Sequence, residues 1–164
     1  MRDAHWTTAY DRHFKKYAKH YFGPLVDWHW FKAQGIAESG LDPKAQSGVG
    51  AKDIMQIMPA TFAEIQDKNP HFSNIDEPRW NIAAGIYYDR YLYRRWQEHI
   101  GKKDRLPFAF GSYNAGFGKV RKAYRKAQKE TSNVRRWPQV APHVPGQTRH
   151  YVRRIYKLMR VDLG

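Results

Sequence analysis

Glu38 closes a mostly apolar stretch, WHWFKAQGIAES (residues 28–39), immediately before a loop rich in Gly, Ser, Asp and Pro. The C-terminal end of a helix carries partial negative charge, which opposes ionisation of a carboxylate there. Apolar neighbours act in the same direction. Gly35, one turn earlier, is expected to leave open space beneath it. A glutamate kept protonated near neutrality can hand a proton to a leaving oxygen, as glycoside cleavage requires. On position alone, a solvated surface glutamate is the simpler explanation of Glu38.

Other residues of suitable chemistry lie further on. Gln56 carries an amide that both donates and accepts, suited to sugar hydroxyls and N-acetyl groups. Met55 offers a flexible thioether for a sugar face, with core packing as the plain alternative. Asn114 stands before Gly116, where it also fits a helix end with no further role. Trp28, Trp30 and Trp80 read as core residues. The eight histidines are scattered without ligand spacing, so no metal site is expected.

The elements that must position these groups follow from caps and periodicity. Tyr10, Phe14, Tyr17 and Tyr21 recur at helical spacing, giving an amphipathic helix over 5–22 that Gly23-Pro24 stops. Asp27 is placed to cap a second helix ending near Gly40. Pro59 opens a third, and Asp76 with Pro78 opens a long fourth reaching Gly101. Asp104 starts a fifth, which Gly116 and Gly118 break; a basic helix, KVRKAYRKAQKE, follows. Residues 131–146, with three prolines, read as an irregular arm. A last helix, QTRHYVRRIYKLMR, places Val152, Ile155 and Met159 on one face. The class is mainly α, with a small β-like turn inside 40–56.

The chain has 164 residues, enough for one domain with a buried core. It has no cysteine, so neither disulfides nor thiolate metal sites enter. The net charge of +14 is unevenly spread: residues 1–100 hold 13 Lys/Arg against 12 Asp/Glu, and residues 101–164 hold 16 against 3. Such a field suggests an anionic polymer, either nucleic acid or a bacterial envelope.

Five segments, in order, resemble the catalytic domain of soluble lytic transglycosylases and goose-type lysozymes. They are AESGLDP with Glu38 and Ser39; SGVGAKDIMQIMPAT with Met55 and Gln56; Asn81, Ile82, Gly85 and Tyr88; SYNAGFGKV with Tyr113 and Asn114; and QTRHYV with Tyr151. The resemblance covers roughly residues 27–160. It implies a lysozyme-like helical domain over 1–164, carrying the helix 5–22 on it. It also implies cleavage of the β-1,4 bond between N-acetylmuramic acid and N-acetylglucosamine in peptidoglycan, with a 1,6-anhydro product. Glu38 would act as acid and then base, and Ser39, Met55, Gln56, Tyr113, Asn114 and Tyr151 would contact substrate. Asn81 would be a structural partner within the bundle. No cofactor is implied.

Two positions depart from the family pattern. Asp53 stands where glycine is usual, and Gln147 stands where glutamate precedes threonine. Asp53 is either a turn residue tolerating left-handed dihedrals or a second acid that positions water. The competing readings are therefore a hydrolase on the same fold, helped by Asp53 or Asp42, and a basic nucleic-acid-binding domain. A monomer held to the anionic envelope by its basic last third is expected, with no obligate nucleic acid. The charged N-terminal residues lack an apolar signal core. That suggests an endolysin released by a phage holin, a virion component, or export by other means to the wall.

Overall fold

The computed structural model describes residues 6–163. It is helical: α1 Asp11–Phe22, α2 His29–Ser39, α3 Pro59–Lys68, α4 Pro78–Arg95, α5 Leu106–Ala115, α6 Phe117–Glu130, α7 Trp137–Val140 and α8 Gly146–Met159. Short 3₁₀ turns occupy Lys102–Asp104 and Ala141–His143. Among the described residues the extended pairing is limited to two isolated antiparallel bridges, Gln46 with Lys52 and Lys52 with Ile57. The β-like turn expected inside 40–56 is thus present, reaching one residue further. No helix among the described residues is long and apolar enough to cross a membrane. The internal contacts divide the chain into two compact units, with the boundary after Tyr88.

In the first unit, α1 packs on α2. It begins at Asp11 rather than at residue 5; His5 lies outside the described residues. The reason is local. Thr7 Oγ1 accepts the Ala9 N–H at 3.1 Å, holding a turn before the helix starts. Asp11 then sits in the first turn, where its charge suits the dipole, and pairs with the buried Lys32 of α2 at 2.7 Å. Phe14, Tyr17 and Ala18 are buried, and Phe22 meets Phe31 ring to ring at 4.9 Å. Asp27 does not occupy the cap position of α2, which falls on Trp28; its carboxylate still accepts the His29 N–H at 2.9 Å. Gly40, at φ 66°, ends α2 in the left-handed conformation that costs glycine no Cβ clash.

In the second unit, α5 packs against α6 and α8. The fully buried Trp96 donates its indole N–H to Ser112 Oγ at 2.9 Å and meets the Phe108, Phe117 and Tyr124 rings at 5.0–5.6 Å. This anchoring explains why α4 stops at Arg95 rather than running to Gly101: after it, Trp96 and Gln97 bond three residues back in tight turns. Gly118 lies inside α6 and breaks nothing, whereas Gly116 does end α5.

The expected irregular arm is more ordered than its prolines suggest. Pro138 falls in the first turn of α7, where a missing N–H is harmless. Trp137 and Val140 are buried, the Trp137 ring lying where a Cβ on Gly111 would come within 2.4 Å of it. On α8, Val152, Ile155 and Met159 are buried as the periodicity predicts.

Trp28, Trp30 and Trp80 are only half-buried, so they form the margin of the first unit rather than its centre. Trp80 stacks on Phe72 at 5.2 Å and takes the Arg79 guanidinium over its face at 4.3 Å.

Candidate active site

Glu38 is half-buried in the last turn of α2. The space beneath that turn is filled, not open. A Cβ on Gly35 would lie 3.0 Å from Leu41, 3.2 Å from Phe14 and 3.4 Å from Ile54. Gly35 therefore lets three apolar side chains close against the helix that carries Glu38.

The next residue fixes the helix end to the loop. Ser39 Oγ donates to the Ile54 carbonyl at 2.8 Å and accepts the Asp42 N–H at 3.2 Å. Its hydroxyl thus holds the loop carrying Met55 and Gln56 against the helix carrying Glu38.

That loop is built at a conformational cost. Leu41 (φ 64°), Asp53 (φ 64°) and Gln56 (φ 50°) all take left-handed backbone conformations without being glycine. Such residues persist only where neighbours over-determine them. Here Lys52 and Ile57 exchange N–H···O bonds of 2.9 and 3.0 Å, and the Asp53 N–H reaches the Ala45 carbonyl at 2.8 Å. Asn81 completes the frame from α4: its Oδ1 accepts the Met55 N–H at 2.8 Å, and its Nδ2 donates to the Lys52 and Ile75 carbonyls, each at 3.1 Å.

Gln56 is half-buried and its amide is partly committed. Nε2 donates to the Asp53 carbonyl at 2.9 Å and to the Ala45 carbonyl at 3.3 Å. Met55 has no exposed surface, and its side chain lies against Gly85 of α4, where a Cβ would come within 2.8 Å of Met55 Cγ. Of the two roles open to Met55, this geometry favours packing.

Asp53 is 5% exposed, and Oδ2 has no hydrogen-bond partner among the described residues. Burial pushes its carboxyl up to about 6; the Asp76 and Asp42 carboxylates add to the rise and the Lys52 ammonium opposes it. Lys52 itself pairs with Asp76 at 3.0 Å.

In the second unit, Tyr113 and Asn114 are half-buried in the last turn of α5, just before Gly116. Asn114 Oδ1 accepts the Thr148 hydroxyl at 2.8 Å, which ties that turn to α8. Tyr151, three residues beyond Thr148, is buried at 8% exposure. Glu38, Ser39, Met55 and Gln56 thus form one group in the first unit, and Tyr113, Asn114 and Tyr151 another in the second.

Asn81 is the structural partner that the resemblance implies, its buried amide satisfying one donor and two acceptors at once. Thr148 lies inside the QTRHYV segment, but nothing local reveals that its hydroxyl reaches Asn114, 34 residues away. No group of three or more His, Cys, Asp or Glu able to hold a metal ion occurs among the described residues.

Membrane-bound lytic murein transglycosylase F of Pseudomonas fluorescens is 32% identical over 136 residues, covering 83% of this chain and 26% of that protein. The 70 kDa soluble lytic transglycosylase of Escherichia coli superposes with a TM-score of 0.71 at 25% identity, over 96% of this chain and 25% of its own. A complex of the 70-kDa soluble lytic transglycosylase with bulgecin A matches at 0.71 and 26% identity, over 94% and 25%. The chain therefore spans about a quarter of the length of these relatives. The transglycosylase SLT domain model matches residues 15–135, across both units and over most of the sequence, and the chain belongs to that family.

Proposed function

We propose that this chain cleaves the β-1,4 bond between N-acetylmuramic acid and N-acetylglucosamine in peptidoglycan, as a lytic transglycosylase. Glu38 protonates the glycosidic oxygen as the bond to the muramic C1 breaks. The muramic N-acetyl oxygen stabilises the cation developing at C1. Glu38, now a carboxylate, removes the proton from the muramic 6-hydroxyl, whose oxygen closes onto C1. The product is a 1,6-anhydro sugar, no water is consumed, and Glu38 ends protonated as it began. The reaction requires neither metal nor organic cofactor.

The observation that carries this reading is the bond from Ser39 Oγ to the Ile54 carbonyl at 2.8 Å. It joins the helix end bearing Glu38 to the loop bearing Gln56, so the acid and an amide suited to sugar are held on one frame. Ser39 then acts by positioning. Gln56 uses its Nε2 on the loop, which leaves Oε1 for a sugar hydroxyl or an acetamido N–H. Tyr113, Asn114 and Tyr151 are proposed substrate contacts on the family pattern; Asn114 spends Oδ1 on Thr148 and keeps Nδ2 for a ligand.

Hydrolysis of the same bond, with Asp53 holding water, is the alternative. A water-positioning carboxylate must be reachable. Asp53 is buried, which supports the turn-residue reading instead.

The basic residues Lys119, Arg121, Lys122, Arg125 and Lys126 of α6 are all exposed. We assign them to attachment on the anionic envelope, with the chain acting as a monomer and without obligate nucleic acid. Exposed charges more than about 8 Å apart are screened at physiological salt. Envelope binding should weaken steeply with salt while cleavage of a short neutral glycan does not; equal salt sensitivity would remove the attachment role.

Mass spectrometry of the muropeptides released from purified sacculi tests the whole reading. Anhydro ends free of reducing sugar are expected. Reducing ends would establish the hydrolase, and absence of release from accessible sacculi would end both.

A further inference from the structure

Asp53 is the junction on which the Gln56 amide is aimed. Its N–H donates to the Ala45 carbonyl at 2.8 Å. Its own carbonyl accepts twice from Gln56, the backbone N–H at 3.0 Å and the side-chain Nε2 at 2.9 Å. Nε2 also reaches the Ala45 carbonyl at 3.3 Å. Asp53 and Gln56 both hold left-handed backbones, at φ 64° and 50°, which only the surrounding bonds keep in place. A relaxation at Asp53 therefore carries the Gln56 amide with it.

The Asp53 side chain sits badly in this junction once it is charged. The carboxyl is buried, and Oδ2 has no hydrogen-bond partner among the described residues. Three charged groups act on it. Asp42, at the start of the loop, and Asp76, before α4, both repel a negative charge there. Lys52 attracts one, but it is already bridged to Asp76 at 3.0 Å. A neutral carboxyl fits such a place. A carboxylate has burial and two like charges against it, and turning out to water relieves all three. Burial, ahead of the two carboxylates, raises the titration of this group to about 6.

We propose that Asp53 is a positioning residue that works as the neutral acid: its protonated side chain keeps the Gln56 amide aimed at the glycan, and its ionisation opens the junction and weakens substrate binding. The proposal rests on the reading of the chain as a peptidoglycan-cleaving enzyme. Asp53 acts through Gln56, so affinity should change with pH while the chemical step at Glu38 is spared. The folded carboxyl binds its proton more tightly than an ordinary one, so the aimed state belongs to the acid side and is lost as pH rises through about 6.

Muropeptide release from sacculi, followed as KM and kcat from near pH 5 to near pH 8, tests this in the wild type and in Asp53→Asn, a neutral mimic of the protonated acid. The ratio of the two proteins at each pH cancels the titration of Glu38 and of the sacculus itself. Two pKa units set a ceiling of about a hundredfold, so the wild-type KM is expected to rise about tenfold relative to the variant, with the kcat ratio flat. Asp76→Asn removes one repelling charge and frees Lys52, so it should move the midpoint to lower pH. Residue-resolved hydrogen exchange needs no substrate. It should show the Asp53 and Gln56 amides losing protection toward pH 8 in the wild type and keeping it in Asp53→Asn. The proposal is overturned if the KM ratio is flat, if kcat carries the change instead, if Asp76→Asn fails to lower the midpoint, or if the two amides are equally protected at both ends of the range. The two readings fail separately. A chain whose loop opens with pH but which cuts no sacculi loses the lytic activity and keeps the proton-linked junction; one that cuts sacculi with a loop indifferent to pH does the reverse.

Discussion

Asn81 holds the backbone of Met55. Its Oδ1 accepts the Met55 N–H at 2.8 Å, while its Nδ2 bonds the Lys52 and Ile75 carbonyls from the other end of the same amide. One fully buried side chain therefore satisfies three backbone groups around a loop whose own dihedrals are unfavourable.

Asn81→Ala should unfold the loop before the rest of the chain. Each buried backbone group left unmade costs about 1–3 kcal/mol, reduced where water can enter the gap. A loss of about 3 kcal/mol in denaturant unfolding is expected, with murein cleavage falling further than stability explains. A variant as stable as the wild type would show that the amide does not hold the loop.

Gly85 answers Met55 from the same helix. Ala at this position gains about 1 kcal/mol of helix propensity. Its Cβ, however, would meet Met55 Cβ and Cε at 2.9 Å and Cγ at 2.8 Å, and a Cβ atom cannot swing aside. Overpacking costs about 1–3 kcal/mol, so the clash should win by up to about 2 kcal/mol. Met55→Ala in the Gly85→Ala background should recover part of the loss. A double-mutant cycle with no coupling between the two positions would refute the close approach.

Glu38→Gln should preserve the melting temperature within a degree or two and remove sacculus clearing. General acid catalysis alone contributes about 10²–10⁴-fold, and this carboxyl is used in two steps. Near wild-type clearing by the folded variant would remove Glu38 from the mechanism.

The sequence revealed what depends on neighbours in the chain. Gly23, Gly40 and Gly116 end helices, Pro59 opens one, and the apolar face of α8 falls where its periodicity puts it. It was less informative where partners are distant. The tryptophans that fill the interior are Trp96 and Trp137, not Trp28, Trp30 and Trp80, because burial is decided by what packs around a ring rather than by its local pattern. The prolines of 131–146 suggested an irregular arm, yet Trp137 seated on Gly111 anchors it. At the site, the segment containing Glu38 and Ser39 was legible as a motif. That Ser39 ties the loop to the helix, and that Gln56 turns its Nε2 onto Asp53, required the folded loop.

Asp53 offers the sharpest test, because its charge and its backbone can be separated. The left-handed φ of 64° suits asparagine at least as well as aspartate, so Asp53→Asn changes the charge while sparing the turn. The folded carboxyl titrates at about 6 against an ordinary 3.8. Below 3.8 both folded and unfolded chains hold the proton and the group costs nothing. Between the two values the unfolded chain releases its proton and the folded chain keeps it, so stability falls as pH rises. Above about 6 the full penalty is present. Two pKa units correspond to about 3 kcal/mol as a ceiling. Relaxation of the loop toward water should bring the observed effect to about 1–2. Asp53→Asn should therefore match the wild type in melting temperature near pH 3.5, exceed it progressively to pH 6, and hold a constant advantage at pH 7 and above. Its cleavage products should still carry 1,6-anhydro ends. A stability difference that does not grow with pH would contradict a buried carboxyl that binds its proton more tightly in the folded chain than in the unfolded one. A stabilised variant that has lost cleavage would return Asp53 to the chemistry, as the residue that holds water in a hydrolase.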